Sequence, residues 1–540
     1  MFGNEKDCPV FITRNKRKTP KPVWRLEMAD THKWDKVAKP KKTWKRKVLC
    51  ILGVFFALAI VALIITAVMQ NKPLPKNIKY GIVLDAGSSH TSLYVYNWPA
   101  EKENDTGVVK QVEECKVEGN GISHYFQEPV KAGLSIDACV TRAQQVIPAN
   151  QHKETPIYLG ATAGMRLLRL NNHTVADEVL SSVENSLRSS PFDFQGARII
   201  TGQEEGAYGW ITINYLLKNF VEESSVLNLL PSFRKTETSG ALDLGGASTQ
   251  ITFVSDEDIE TQENTLHFRL YGKSYNVYTH SYLCYGKDQA LRLQLVKNIV
   301  NTRNGTMWDP CFNPGYRRNT STSELYSSPC VSQHTRFTTT PVNFEIKGTG
   351  DYQLCKANIQ SIFNVSYCPY SQCSFNGIFQ PVLQGKFGAF SAFYFVMDFL
   401  KVAHEKATLE DVKERVQSHC SRPWDQVKAD FPKIKTKYLS EYCFSGVYIL
   451  SLLELGYGFN ADNWKEISFL GKISGSDAGW TLGYMLNLTN MIPAELPPSP
   501  PLSHGVYVGL MVFFSVLLLF IVLICWLGFR KPRCLQKGII

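Results

Sequence analysis

The chain has 540 residues, 44% hydrophobic and 20% charged, an ordinary globular composition at a length sufficient for two or three domains. Its net charge of +10 sits in one place, because residues 1–47 hold 15 Lys or Arg against 5 Asp or Glu. The remainder is close to neutral, which excludes a nucleic-acid-binding body.

Val48 to Met69 is an uninterrupted apolar run, long enough to cross a bilayer as a helix. The preceding tail is too long, and the run itself too long, for a cleaved signal peptide. Tyr80-Gly-Ile-Val-Leu-Asp85 then reads as an apolar strand ending in a carboxylate, with a turn at Gly87 and polar Ser88, Ser89, His90 and Thr91 after it. Pro156–Gly160 reads as a strand that delivers Thr162 to a helix start, where a plain N-cap is the competing role. Ala197–Thr201 reads as a further strand, and Gly202-Gln-Glu204-Glu205 opens a helix whose acids ordinarily just complement the macrodipole.

From Gly240 to Gln250 the strand, aspartate and glycine pattern recurs, with Asp243, Gly245, Gly246, Ala247, Ser248 and Gln250 in order. Alone, Asp-x-Gly is an ordinary turn. Occurring twice, it predicts two similar lobes facing one ligand. Each lobe offers backbone amides to phosphate oxygens and one carboxylate to a hard divalent cation. Farther on, Phe390, Phe393, Tyr394 and Phe395 cluster at helical spacing, a pattern that belongs to a core more often than to a ligand platform.

A second apolar run, Val506 to Phe529, is followed by Arg530, Lys531 and Arg533. Basic residues outside both spans put both termini in the cytoplasm and residues 70–505 on the other side. Ten cysteines lie between the spans, an even number that suits five disulfides in an oxidising compartment. Cys368 and Cys373 are the only close pair, without a second pair at zinc-finger spacing. Six sequons, at Asn104, Asn172, Asn304, Asn319, Asn364 and Asn487, fall between the spans and none in the tails. Cys8 and Cys50, beside basic residues, are candidates for palmitoylation or plain free thiols.

Four stretches, Asp85-Ala-Gly-Ser-Ser-His-Thr, Ala161-Thr-Ala-Gly-Met-Arg166, Gly202-Gln-Glu-Glu-Gly-Ala-Tyr-Gly-Trp210 and Ala241-Leu-Asp-Leu-Gly-Gly-Ala-Ser-Thr-Gln250, resemble in order and type the apyrase conserved regions. A fifth resembles Gly475-Ser-Asp-Ala-Gly-Trp480-Thr-Leu-Gly-Tyr-Met-Leu-Asn487. The resemblance is to the ectonucleoside triphosphate diphosphohydrolase (ecto-apyrase) family. It covers the whole region between the spans and includes both anchors.

That resemblance implies an α/β, two-lobed ectodomain of the actin/Hsp70/sugar-kinase type with a nucleotide cleft, plus two transmembrane helices. The expected order is a basic cytoplasmic tail (1–47), a transmembrane helix (48–69), lobe I (70–200), lobe II (201–465) and a return to lobe I (466–492). A Pro-rich juxtamembrane linker (493–505), a second transmembrane helix (506–529) and a cytoplasmic tail (530–540) complete it. Amides of Ser88, Ser89, His90, Gly246, Ala247 and Ser248, with Thr162 and its neighbour Ala163, are expected to hold phosphates. Asp85 and Asp243 are expected to anchor Ca²⁺ or Mg²⁺, partly through water.

Glu205 matches the family's general base, with Ser248 and Gln250 orienting the attacking water and Trp480 lining the cleft. Glu204 is expected to matter much less. Direct attack by water is preferred to a phosphoenzyme on Ser248 or His90. By resemblance, Phe395 and Tyr438 sandwich the base, and broad selectivity among ATP, ADP, UTP and UDP follows from stacking. The resemblance also implies pairing of Cys115 with Cys139, Cys284 with Cys330, Cys311 with Cys355, Cys368 with Cys373, and Cys420 with Cys443. The expected setting is the plasma membrane, with the catalytic domain extracellular and association of copies open through the membrane helices. A chaperone or kinase on the same fold, or a receptor ectodomain, are the other function classes, and metal-dependent phosphate release separates the first from both.

Overall fold

The computed structural model describes residues 42–71, 77–100, 106–220, 238–334, 342–404, 406–491 and 501–529. Asn104, Cys8, Cys534, the termini and most of the 493–505 linker lie outside the described residues. The chain forms two compact units, one of residues 74–498 and one that contains both terminal segments.

The terminal unit consists of two helices, Lys42–Gln70 and His504–Phe529, which pack on each other. Each is long and apolar enough to cross a membrane. Their outward faces expose Leu58, Ile64, Phe513 and Phe520, as a lipid-facing helix requires.

The central unit is built around two sheets. The first contains β1 (Ile78–Ala86), β2 (Thr91–Pro99), β3 (Lys110–Lys116), β4 (Pro156–Ala161) and β5 (Asp193–Ile199), in the order β3-β2-β1-β4-β5. β1, β2 and β3 run antiparallel, while β4 and β5 join in parallel. The second contains β6 (Gly240–Leu244), β7 (Ser248–Phe253), β8 (Thr265–Leu270) and β9 (Lys273–Leu283). β10 (Thr306–Asp309), β11 (Arg317–Ser321) and β12 (Asn343–Gly348) form a small separate sheet. β13 (Phe387–Ser391) and β14 (Ile467–Phe469) then complete the second sheet, in the order β14-β13-β6-β7-β9-β8.

Leaving β8 aside, the two sheets have one topology. β6, β7 and β9 repeat the antiparallel β1, β2 and β3, and β13 and β14 repeat the parallel β4 and β5. This is the two-lobed α/β arrangement of the actin/Hsp70/sugar-kinase type. The last strand of the second sheet ends at Phe469, so the chain leaves that sheet four residues past the expected 465 boundary.

Alternation along the central strands decides where the acids point. In β1, Ile82 and Leu84 enter a core built with the first lobe's own outer helices, whereas Val83 enters a core shared between the lobes. In β6, Leu242 and Leu244 likewise face the second lobe's core and Ala241 the shared one. With a side-chain period of two, Asp85 falls on the face of Val83 and Asp243 on the face of Ala241. Both acids therefore sit on the sheet faces that look toward the other lobe.

Two helices fill the shared layer, Gly202–Leu216 and Trp480–Thr489, and they pack closely on one another. Gly483 makes the crossing: a methyl built on it would lie 1.9 Å from the Tyr208 carbonyl oxygen. The Thr212 hydroxyl donates to the Gly479 carbonyl at 2.6 Å and accepts from the Gly483 amide at 2.8 Å, tying the helices together. Helix 480–489 also contacts β1 and β2, and helix 202–216 contacts β6, β7 and β9.

Five disulfides join Cys115 to Cys139, Cys284 to Cys330, Cys311 to Cys355, Cys368 to Cys373, and Cys420 to Cys443. Cys50 and Cys525, on the membrane-type helices, are unpaired. Of the described sequon residues, Asn172, Asn304, Asn319 and Asn364 are exposed, and Asn487 is half-buried on helix 480–489.

Candidate active site

The two Asp-x-Gly turns meet. A methyl built on Gly246, in the β6–β7 turn, would stand 2.7 Å from the Ser88 hydroxyl of the β1–β2 turn. Between them lies a polar cavity of about 250 Å³ lined by Ser88 and His124 from one lobe and Gly246, Ala247, Asp288 and Lys437 from the other. Ala247 and Ser248 are buried beneath Gly246, and Gly286 approaches their amides so closely that no side chain fits there. The Ser89 hydroxyl lies 2.9 Å from Nδ1 of His90, which is exposed at the rim.

Three carboxylates share the cleft floor. Burial, the Glu205 charge and the Asp243 charge push the Asp85 carboxyl up to about 8, against a lowering influence from the nearby Trp480 indole. Burial and the Glu205 charge raise Asp243 to about 7, against a lowering influence from the nearby Ser391 hydroxyl. Burial also raises Glu205, opposed by the charge and hydrogen bond of Arg166. Burial is thus the leading cause for all three, with neighbouring carboxylates adding to it at Asp85 and Asp243.

Glu205 is fixed from two sides. Arg166, on the Ala163–Asn171 helix after β4, forms an ion pair and hydrogen bond with Oε2. Gln250 Nε2 lies 3.1 Å from the same oxygen, 2.8 Å from the Ser248 hydroxyl and 3.0 Å from the Ser281 hydroxyl. Ser281, on β9, also accepts from Arg166 at 3.4 Å. Arg166 and Ser281 carry no role in the reading of the sequence, and the fold makes both members of the cluster. The order Arg-x-Leu in a helix, or Ser within a strand, contains no local signal of partners so far away in the chain.

Glu204 points elsewhere. It accepts from Arg198 at 2.8 and 3.0 Å, and it closes a capping box with Thr201, whose side chain accepts from the Glu204 amide. Its pKa is held below the ordinary value: burial would raise it, and the Arg198 and Thr201 hydrogen bonds prevail. Thr162 stands at the N-terminus of the 163–171 helix, yet its side chain makes no capping bond, so the plain N-cap role does not hold. Thr162 is buried where its own amide donates to the Ala86 carbonyl, beside the first turn.

The aromatic cluster divides. Phe390 and Phe393 are core residues, whereas Phe395 is 63% exposed on the Ala392–Phe399 helix. Tyr438 is 42% exposed on the Thr436–Ser451 helix, which packs on it. Two large rings left open on adjoining helices are available to a flat ligand.

The donor set fits a divalent cation. Asp85 Oδ1 and the Trp480 indole N–H are both buried and have no geometrically complete hydrogen bond among the described residues. No group of three or more His, Cys, Asp or Glu side chains there is close enough to enclose an ion. Two hard oxygen donors without a full cage suit an ion that keeps much of its water.

Two sheets of one topology, each bringing an acid and a hydroxyl-rich turn to a common cleft, define a two-lobed enzyme of phosphate-ester or phosphoanhydride chemistry. The chain belongs to the GDA1/CD39 (nucleoside phosphatase) family, whose profile matches residues 71–501. It is 57% identical over 506 residues to ectonucleoside triphosphate diphosphohydrolase 1 of Mus musculus, covering 93% of this chain and 99% of that protein. To ectonucleoside triphosphate diphosphohydrolase 8 of Bos taurus it is 45% identical over 475 residues, 87% of this chain and 95% of that one. Among solved structures it is similar to nucleoside triphosphate hydrolases from Neospora caninum, with a TM-score of 0.55, 16% identity, and 77% and 93% of the two chains covered. That last likeness is one of fold.

Proposed function

We propose that this chain is a cell-surface hydrolase that removes terminal phosphate from nucleoside tri- and diphosphates, taking ATP, ADP, UTP and UDP to monophosphates. The observation that carries the reading is the Glu205–Gln250–Ser248 cluster, held by hydrogen bonds beside two buried aspartates where the turns of both lobes meet. The names of its relatives, triphosphate diphosphohydrolases, support the same substrates.

Hydrolysis of a phosphoanhydride needs positioning, charge neutralisation and an in-line nucleophile. The hydroxyls of Ser88 and Thr162 and the amides of the two turns hold the phosphates, with Ala163 and Gly246 close by. Glu205 takes a proton from the attacking water. Its raised pKa brings it nearer the working pH, while Arg166 opposes the rise and favours the ionised form. Gln250 Oε1 is buried without a partner among the described residues, and it accepts the water's second hydrogen. Ser248 accepts from Gln250 and keeps its own proton to donate. Asp85 and Asp243 would hold a divalent cation, Ca²⁺ or Mg²⁺, partly through water, and such an ion would supply charge neutralisation at the phosphate oxygens. The buried Trp480 indole N–H, near Asp85, would be available as a donor at that site. Phe395 and Tyr438 stack on the base.

Both apolar helices span the plasma membrane in this reading, with residues 70–505 outside the cell and both termini in the cytoplasm. The test is phosphate release from ATP and from ADP by membranes bearing the chain. Release from both, abolished by EDTA and by Glu205→Gln, is expected. A folded, surface-exposed protein that releases no phosphate with metal present refutes it.

A further inference from the structure

Lys287 carries a buried charge that the hydrolysis itself does not use. Its Nζ lies 2.5 Å from Asp288 Oδ1 and 2.5 Å from Glu441 Oε2, with the Lys287 and Glu441 side chains only 14% and 9% exposed. Desolvation of both partners offsets much of their attraction, so net stability alone does not account for such a pair.

The two ends of the pair stand on different parts of the second-lobe site. Lys287 begins the Lys287–Asn298 helix, whose first amides grip the β6–β7 turn. The Lys287 amide donates to the Gly245 carbonyl at 2.9 Å and the Asp288 amide to the Gly246 carbonyl at 2.9 Å. Glu441 sits near the start of the Thr436–Ser451 helix, three residues after Tyr438 and therefore on the same side of that helix. Asp288, Lys437 and Glu441 line the cavity between these two parts. We propose that Lys287 and Glu441 are positioning residues, whose ion pair fixes the distance between the turn that holds phosphates and the ring that holds the base. Seating the base then helps to place the terminal phosphate. The inference rests on the reading of the β6–β7 turn as a phosphate seat and of Tyr438 as a base ring. The amide bonds of Lys287 and Asp288 hold the turn by themselves, so a substrate without a base does not need the pair.

The full chain in detergent is assayed for kcat/KM with ATP and with inorganic triphosphate, for Glu441→Gln, Glu441→Leu, Lys287→Gln and Tyr438→Ala, with melting temperatures recorded. Both Glu441 variants leave Lys287 paired with Asp288, so no charge is stranded and both are expected to fold. The ratio of ATP to triphosphate turnover should fall about tenfold in Glu441→Leu, the size of one charge-assisted hydrogen bond. It should fall about threefold in Glu441→Gln and in Lys287→Gln, each of which keeps a neutral hydrogen bond across the gap. A merely structural loss would lower both substrates together and leave the ratio alone. An unchanged ratio in the Glu441 variants, with Tyr438→Ala lowering it, overturns the role of the pair alone. A ratio that falls in the Glu441 variants but not in Lys287→Gln means that Glu441 touches the nucleotide directly, and overturns it too. An unchanged ratio in Tyr438→Ala overturns the base-ring reading, and this inference with it.

Discussion

Arg166 reaches from the helix between β4 and β5 of the first sheet to pair with Glu205, the buried acid near the start of the helix before the second. The pair holds the proposed base in place and in its charged form at once. Removing the guanidinium leaves a buried carboxylate that accepts a proton more readily. Arg166→Met is therefore expected to lower kcat by about a hundredfold, within the range of general base catalysis, and to destabilise the fold by about 3–5 kcal/mol, as breaking a buried pair does. It should also move the acid limb of the pH–rate profile to higher pH. An unchanged limb contradicts this account.

Adjacent acids should behave differently. Glu205→Gln removes the proton acceptor and should cost about 10²–10⁴ in kcat, the usual range for general base catalysis. Glu204→Gln keeps an N3 side chain able to close the capping box and loses only the Arg198 ion pair, so it should lower stability by about 1 kcal/mol or less and leave kcat within a few-fold. Steady-state kinetics and thermal melts of the two variants separate them.

The cleft aspartates make stability depend on pH and on metal together. Asp85 near 8 and Asp243 near 7 bind protons more tightly in the folded than in the unfolded chain, whose aspartates titrate near 3.8. Stability from this source is complete below about pH 4 and is lost as pH rises through 7 and 8. In EDTA, the melting temperature is expected to fall between pH 6 and pH 8. Ca²⁺ with a nucleotide analogue binds the ionised form, so its stabilisation should be larger at pH 8 than at pH 6. Equal Ca²⁺ shifts at both values count against these acids as anchors.

Tyr438→Ala tests the open rings. Base stacking on an aromatic side chain is worth about 1–3 kcal/mol, so KM for ATP should rise about 10- to 100-fold. Inorganic triphosphate has no base, and its KM should stay put. A parallel rise for both would place Tyr438 outside base recognition.

Much of the architecture could be read before any coordinates, because an apolar strand ending in Asp-x-Gly is a local signal and its repetition implies duplication. Gln250 was a candidate for the same local reason, whereas Glu205 became one only through the family resemblance, because acids in a first helical turn ordinarily just complement the macrodipole. Arg166 and Ser281 were not candidates, since each acts on a residue far along the chain. Thr162 was open to the wrong role because its position is that of a cap, and only the structure reveals that the cap is unused. Helical spacing did not separate Phe395 from Phe390 and Phe393; the family resemblance singled it out, and it is exposed where the other two are buried.

The crossing of helices 202–216 and 480–489 has a consequence for synthesis. Residues 480–489 complete the packing around β1, a strand made some four hundred residues earlier, and they bring Trp480 to Asp85. The first lobe must wait, with its inner face unsatisfied, until nearly the whole ectodomain has left the ribosome. A nascent chain stopped just short of Gly479 would carry both aspartates and Glu205, yet hold them in an unfinished cleft, which makes early release of activity during translation unavailable to this fold.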